Sequence, residues 1–266
     1  MTIGLITGSG LEDFGLESWT ELALETDYGR VALQRGQAGD REVVLLRRHG
    51  AAHDIPPHRI NYRANLRALR DVGCRIIVAT NAVGSLRPIM KPGDLVLPDQ
   101  FIDCTKLRAT TFFDGAAGPG AHDAPPAAFA EVRHVDVSEP YCNDLRNQLL
   151  PVLERHDLMA HPAGTYICTE GPRFETPAEI KAYAQWGADV VGMTGVPEVV
   201  LARELGMCYV SVCLVTNFAA GTTHGPITAE EIEAIAHQRR AALDGALREI
   251  ALTVEDRADC ACHQWW

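Results

Sequence analysis

Short apolar runs that end in small or polar residues recur along the chain. Thr2-Ile3-Gly4-Leu5-Ile6-Thr7 runs into Gly8-Ser9-Gly10, and Val43 to Leu46 runs into Arg47-Arg48-His49-Gly50. Ile76 to Ala79 leads into Thr80-Asn81-Ala82-Val83-Gly84-Ser85, and Tyr209 to Val215 into Thr216-Asn217. Continuous apolar runs of this length suit strands buried on both faces. Tyr166 to Cys168 reads as one more. Between these runs the period changes. Asn61 to Val72 carries Tyr62, Leu66, Leu69 and Val72 and stops at Gly73, which predicts a helix. Thr176-Pro177-Ala178-Glu179 has the cap, first-turn proline and reciprocal acid of a capping box, and predicts a helix ending at Trp186-Gly187. Thr228-Ala229-Glu230-Glu231 repeats the box and opens a helix through Ile232, Ile235, Leu243, Leu247 and Ile250, about seven turns at ~3.6 residues each.

Strand-helix alternation predicts a single α/β domain over residues 1–255 with a largely covered sheet. Residues 109–131, rich in Gly, Pro and Ala, predict a long irregular loop that is either a lid or an interface segment. Residues 256–266, ending in Trp265-Trp266, read as a flexible tail.

Composition narrows the partners. The 266 residues carry 24 Lys and Arg against 35 Asp and Glu, a formal charge of −11, which argues against nucleic-acid and anionic-membrane partners. No run of about 18 apolar residues occurs and the first ten residues lack a basic, apolar leader, so a cytoplasmic location is expected. Of eight cysteines, Cys74, Cys104, Cys142, Cys168, Cys208 and Cys213 stand singly and read as reduced core residues. Cys260-Ala261-Cys262-His263 is the one sequence cluster; its place at the chain end favours a frayed tail over a metal or redox site, so no metal is expected.

Ligands of open α/β sheets gather beyond the carboxyl ends of the strands, where Gly8-Ser9-Gly10, Arg48-His49, Asn81-Ala82 and Thr216-Asn217 all fall. Gly8 and Gly10 let backbone N–H groups approach an anion, Ser9 adds a hydroxyl, and Arg48 with His49 adds cationic donors, the makings of a phosphate site. The dinucleotide fingerprint is missing its third glycine. Glu170-Gly171-Pro172-Arg173-Phe174-Glu175 reads equally as a substrate-facing loop or as a helix entry with Phe174 packed on the helix, and Val191-Gly192-Met193-Thr194 as a site turn or plain core. No spacing of acids or metal ligands suited to a hydrolase is present.

These blocks, taken with Asn61-Tyr62-Arg63-Ala64-Asn65, Pro92-Gly93-Asp94 and Val196-Pro197-Glu198-Val199, resemble the trimeric purine nucleoside phosphorylase and methylthioadenosine phosphorylase family from residue 3 to about 250. The resemblance implies a single α/β domain with a mixed, partly barrel-like sheet covered by helices, a homotrimer with sites near subunit contacts, and phosphate-dependent cleavage of a purine nucleoside. Inorganic phosphate is then a co-substrate and no cofactor is needed. It further implies that Ser9, Arg48, His49, Ala82 and Thr194 hold phosphate, that Met193 packs on the ribose, and that Phe174, Glu175, Val191 and Asn217 line the base pocket, with Asn217, His49 and Arg48 serving catalysis.

The base can be argued from donors and acceptors. A 6-oxopurine offers N1–H to the Glu175 carboxylate and presents O6 and N7 to the Asn217 amide. The methylthioadenosine branch has Ser and Asp at these places, so the chain departs from it on both counts. At the other end of the nucleoside, alignment places Ala229 where purine nucleoside enzymes carry a 5′-hydroxyl-binding His. Ile227, Ala229 and Ile232 would then form an apolar wall, and His134 resembles a residue donated across the trimer contact. The expected substrate is S-methyl-5′-thioinosine, giving hypoxanthine and 5-methylthioribose 1-phosphate. Inosine or guanosine phosphorolysis, methylthioadenosine phosphorolysis and a non-catalytic nucleoside-binding module are the alternatives.

Overall fold

A computed structural model describes residues 1–8, 18–114, 129–223 and 225–263. Strands β1 (Thr2–Thr7), β2 (Thr20–Thr26), β3 (Gly29–Ala38) and β4 (Arg41–Arg47) are followed by helix α1 (Tyr62–Asp71) and the 12-residue strand β5 (Cys74–Ser85). Short strands β6 (Leu95–Val96) and β7 (Gln100–Cys104), helix α2 (Asn143–Arg155), and strands β8 (Ala160–His161) and β9 (Thr165–Thr169) come next. Helix α3 (Pro177–Gln185), strand β10 (Val190–Gly192), helix α4 (Gly195–Glu204), strand β11 (Cys208–Phe218) and helix α5 (Ala229–Thr253) complete the domain.

Strand β5 organises the sheet. It pairs in parallel with β1 on one side and with β11 along its length on the other, and beyond the end of β1 it pairs antiparallel with β10 through Ser85 and Gly84. One path runs β2-β3-β4-β1-β5-β10-β9-β7, while β11 leads a branch through β6 to β8. Among the described residues the branches do not close on each other, so the mixed sheet is open. The four apolar runs read from the sequence are β1, β4, β5 and β11, whose core positions are fully buried. Burial on both faces explains why they read as unbroken runs rather than alternating ones.

The helix signals act as expected. Asn61 caps α1 by accepting from Ala64 N, and Thr176 with Glu179 makes both bonds of a capping box on α3. Thr228 Oγ1 accepts from Glu231 N at the start of α5, whose 25 residues match the expected seven turns. Residues 115–128 of the expected irregular loop lie outside the described residues. Its flanks are held by Phe112 stacked on Phe129 at 5.2 Å and by the Phe112 N–H donating to Glu204 at 2.7 Å.

The C-terminal segment departs from the expected tail. Val254 and Cys262 are buried, Gln148 bonds Glu255 N at 2.8 Å, and His263 Nδ1 lies 2.8 Å from the Gly206 carbonyl. Residues 254–263 are therefore docked on the α2 and β11 side of the domain. Trp265 and Trp266 lie outside the described residues.

Candidate active site

The carboxyl ends of β1, β4, β5 and β11 meet at one cavity of about 210 Å³. Gly8, Arg48, His49, Ala82, Glu175, Met193, Thr194 and Asn217 line it, together with Phe174, Val191, Ile227 and Ile232. A second cavity of about 330 Å³, beneath the 218–227 loop, shares Thr216, Asn217, Ala219 and Ile227 with the first. Ser9 and Gly10 lie outside the described residues.

Arg48 leaves the end of β4 fully buried. Its Nε and Nη2 donate to the two carboxylate oxygens of Glu198 on α4, both at 2.8 Å, and its Nη1 donates to the Thr80 carbonyl at 2.9 Å. Tyr209 adds its hydroxyl to Glu198 at 2.7 Å. Burial works against the guanidinium charge, but the adjoining carboxylate outweighs it and holds Arg48 firmly protonated. Three of the five guanidinium hydrogens are committed in these bonds. Glu198 balances the Arg48 charge and fixes the orientation of its guanidinium.

His49 follows in the chain with Nδ1 2.8 Å from the Ile55 carbonyl. A carbonyl only accepts, so Nδ1 carries the hydrogen and Nε2 is left as an acceptor. Burial, then neighbouring Arg48 and His53, push its pKa from 6.5 down to about 4, against the pull of the Ile55 hydrogen bond. Between these values the unfolded chain binds the extra proton, so folding stability rises with pH from about 4 to 6.5. Replacing His49 by Gln removes that titration. Denaturant midpoints measured from pH 7 down to 4.5 are expected to fall less steeply for His49→Gln than for the parent, and parallel curves would refute the shift.

Asn81 and Thr194 are coupled. Asn81 Nδ2 donates to Thr194 Oγ1 at 2.7 Å and its Oδ1 accepts from Ser211 at 2.7 Å. The Thr194 hydroxyl thus has its acceptor side occupied and its hydrogen free. Tyr166 OH accepts the backbone N–H groups of Thr194 and Gly195 at 3.3 and 3.2 Å, fixing the entry to α4.

On β11 the register with β5 slips between Val215 and Asn217, so Asn217 faces Gly84. Such a bulge re-aims a side chain at a strand end. Asn217 Nδ2 donates to the Phe218 carbonyl at 2.9 Å, and Oδ1 accepts from Thr216 Oγ1 at 2.8 Å. The Phe218 carbonyl fixes the amide orientation, since only the NH₂ can face an acceptor. One amide hydrogen remains. Gly84 makes room for it: a Cβ there would stand 3.3 Å from Nδ2. Across the cavity Glu175 accepts from Thr169 Oγ1 at 2.7 Å, and burial raises the pKa of its carboxyl.

Two expected residues are not at the cavity. Ala229, the first residue of α5, is exposed and does not line it; of the expected apolar wall, Ile227 and Ile232 line the cavity. His134 is exposed and likewise absent from the lining within this chain. The sequence reading also gave no site role to Glu198, Asn81, Ser211 or Tyr209. Glu198 left a signal, a lone acid among Val196, Val199, Val200 and Leu201.

A sequence profile of the phosphorylase superfamily matches residues 2–251. The chain belongs to this superfamily. Its phosphorylase relatives include the 6-oxopurine nucleoside phosphorylase of Pyrococcus furiosus, 50% identical over 86% of this chain and 84% of the relative. A probable S-methyl-5′-thioinosine phosphorylase of Methanocaldococcus jannaschii is 47% identical over 86% and 84% of the two chains. Methylthioadenosine phosphorylase from Schistosoma mansoni, solved with adenine, superposes with a TM-score of 0.86 at 32% identity, covering 94% of this chain and 91% of that one. A phosphorylase fold with a mixed sheet is what β5 and its two branches build. Among the described residues no helix is long and apolar enough to cross a membrane.

Proposed function

We propose that the chain catalyses phosphorolysis of a 6-oxopurine nucleoside, with S-methyl-5′-thioinosine as its preferred substrate. The observation that carries this reading is the Asn217 amide, oriented by the Phe218 carbonyl and presenting one hydrogen to a cavity that also holds the Glu175 carboxylate. A 6-oxopurine meets this pair with N1–H to Glu175 and with N7 and O6 toward Asn217, whereas a 6-amino group would turn a donor toward the amide hydrogen.

Inorganic phosphate is the co-substrate. Arg48, His49, Thr194 and the Ala82 backbone N–H are the groups that hold it, with Ser9 assigned from sequence. A phosphate oxygen bonds to C1′ as the C1′–N9 bond breaks, and the electron pair of that bond goes to the purine. Asn217 donates to the developing charge at N7, a bond stronger in the transition state than in the ground state. His49 Nε2, neutral above about pH 4, is an acceptor for a phosphate O–H. Met193 packs on the ribose, and Phe174 and Val191 line the base pocket.

Ile227 and Ile232 support the 5′-methylthio preference, since a methylthio group buried against them gains roughly 25 cal/mol per Å² and a hydroxyl there lacks a partner. A homotrimer in the cytoplasm fits this reading, with exposed His134 reaching the 5′ side of a neighbouring subunit's site. With methylthioinosine, inosine and methylthioadenosine compared with and without phosphate, kcat/KM is expected to favour methylthioinosine by about tenfold or more. Base release should require phosphate. Equal or faster inosine cleavage overturns the 5′ assignment, and release without phosphate overturns phosphorolysis.

A further inference from the structure

The fold gathers four cysteines that are scattered in sequence. Cys142 immediately precedes α2, Cys208 opens β11, and Cys260 and Cys262 come from the docked C-terminal segment. All four sulfurs lie within 4.8 Å of one another. Cys142 Sγ is 3.7 Å and Cys208 Sγ 3.5 Å from Cys260 Sγ. These separations are well beyond the ~2.05 Å of a disulfide. They are close to the edge of a zinc tetrathiolate, which for Zn–S bonds of about 2.3 Å is about 3.8 Å.

From this geometry we infer that Cys142, Cys208, Cys260 and Cys262 form a structural zinc site. The ligand count is four and the donors are all sulfur, the set that favours a closed tetrahedral Zn²⁺ centre over hard cations. An outer frame is in place. His263 Nε2 lies 3.6 Å from Cys208 Sγ and 2.8 Å from Asp256 Oδ1, and Asp256 pairs with Arg75 at 2.9 Å. Such partners orient ligands and temper the negative charge of a tetrathiolate. Arg203 and Arg257 line a groove that reaches Cys142, Cys260 and Cys262 from the surface, giving the ion a way in. Binding converts four thiols to thiolates, releasing four protons to solvent as four Zn–S bonds form. The site ties the chain end to the first residues of β11 and α2, three segments far apart in sequence.

Cys208 and Asn217 are at opposite ends of β11, nine residues or ~30 Å apart at about 3.3 Å per residue. The zinc site is therefore separable from the catalytic reading. Elemental analysis of the full-length protein, purified under reducing conditions without chelator, is expected to find close to one zinc per chain. Cys260→Ser/Cys262→Ser should drop that to below a tenth, while Cys104→Ser keeps it. Because the double variant can fail to fold, cobalt exchange into the parent protein supplies a second measurement. Co²⁺ should give the intense thiolate charge-transfer and tetrahedral ligand-field bands of a four-sulfur site. Fully reduced protein with neither zinc nor a cobalt spectrum overturns the proposal. So does an intact mass lower by two hydrogens per cysteine pair, which would assign the cluster to disulfides. Phosphorolysis at ambient temperature should survive zinc removal, so loss of the metal and loss of activity are read separately.

Discussion

Asn217→Ala is expected to lower kcat for the 6-oxopurine nucleoside by about 10²- to 10³-fold, the loss found when one donor to developing negative charge is removed. The ground-state complex loses less, so KM should change by only a few-fold. The prediction follows from three features acting together. The bulge at Thr216 aims the side chain, Gly84 leaves the space beside Nδ2, and the Phe218 carbonyl dictates which face of the amide carries hydrogen. Asn217→Asp tests the reading of position 6 without removing bulk. The kcat/KM ratio of methylthioadenosine to methylthioinosine should rise about tenfold or more, because an acceptor at this place suits a 6-amino group and opposes O6. A ratio that stays put would mean that Asn217 does not distinguish the two bases.

The convergence of strand ends was legible in the sequence because buried parallel strands leave continuous apolar runs, and because polar residues immediately after such runs have few places to go but the sheet's carboxyl edge. Asn217 was legible at the cavity for the same reason, whereas Glu175, which also lines it, was indicated only by the family resemblance. Contacts made at long sequence separation were not. Arg48 and Glu198 are 150 residues apart, and Asn81 and Thr194 are 113 apart, so neither pair leaves a local pattern. The partner of Arg48 was not legible in the sequence on that account. Cys142 and Cys208 each stand alone in the sequence, and only the return of the C-terminal segment brings Cys260 and Cys262 to them. Ala229 shows a different limit: a one-residue offset at a helix start rotates a side chain by about 100°, enough to take it from the cavity wall to solvent.

Glu198→Ala carries the largest expected loss of stability. It removes two charge-assisted bonds from a guanidinium with no exposed side-chain surface and leaves Tyr209 without its acceptor. Removing one partner of such a buried pair costs about 3–5 kcal/mol. At roughly 2–4 °C per kcal/mol for a domain of this size, the melting temperature should fall by about 10 °C. Tyr209→Phe, which spares the ion pair, should cost about 1.5–3 kcal/mol. The pair also makes a distinctive prediction about phosphate. With Glu198 present, the anion meets a charge already balanced; without it, the anion becomes the main counter-charge for Arg48. Saturating phosphate should therefore raise the melting temperature of Glu198→Ala by more than it raises that of the parent, since stabilisation by a ligand grows as RT ln(1 + [L]/Kd). Arg48→Met/Glu198→Leu, which removes both charges and keeps the bulk, should recover most of the lost stability and none of the phosphate response. A single variant that melts within about 2 °C of the parent, or one that gains no extra protection from phosphate, would show that Glu198 does not balance Arg48 at the anion site.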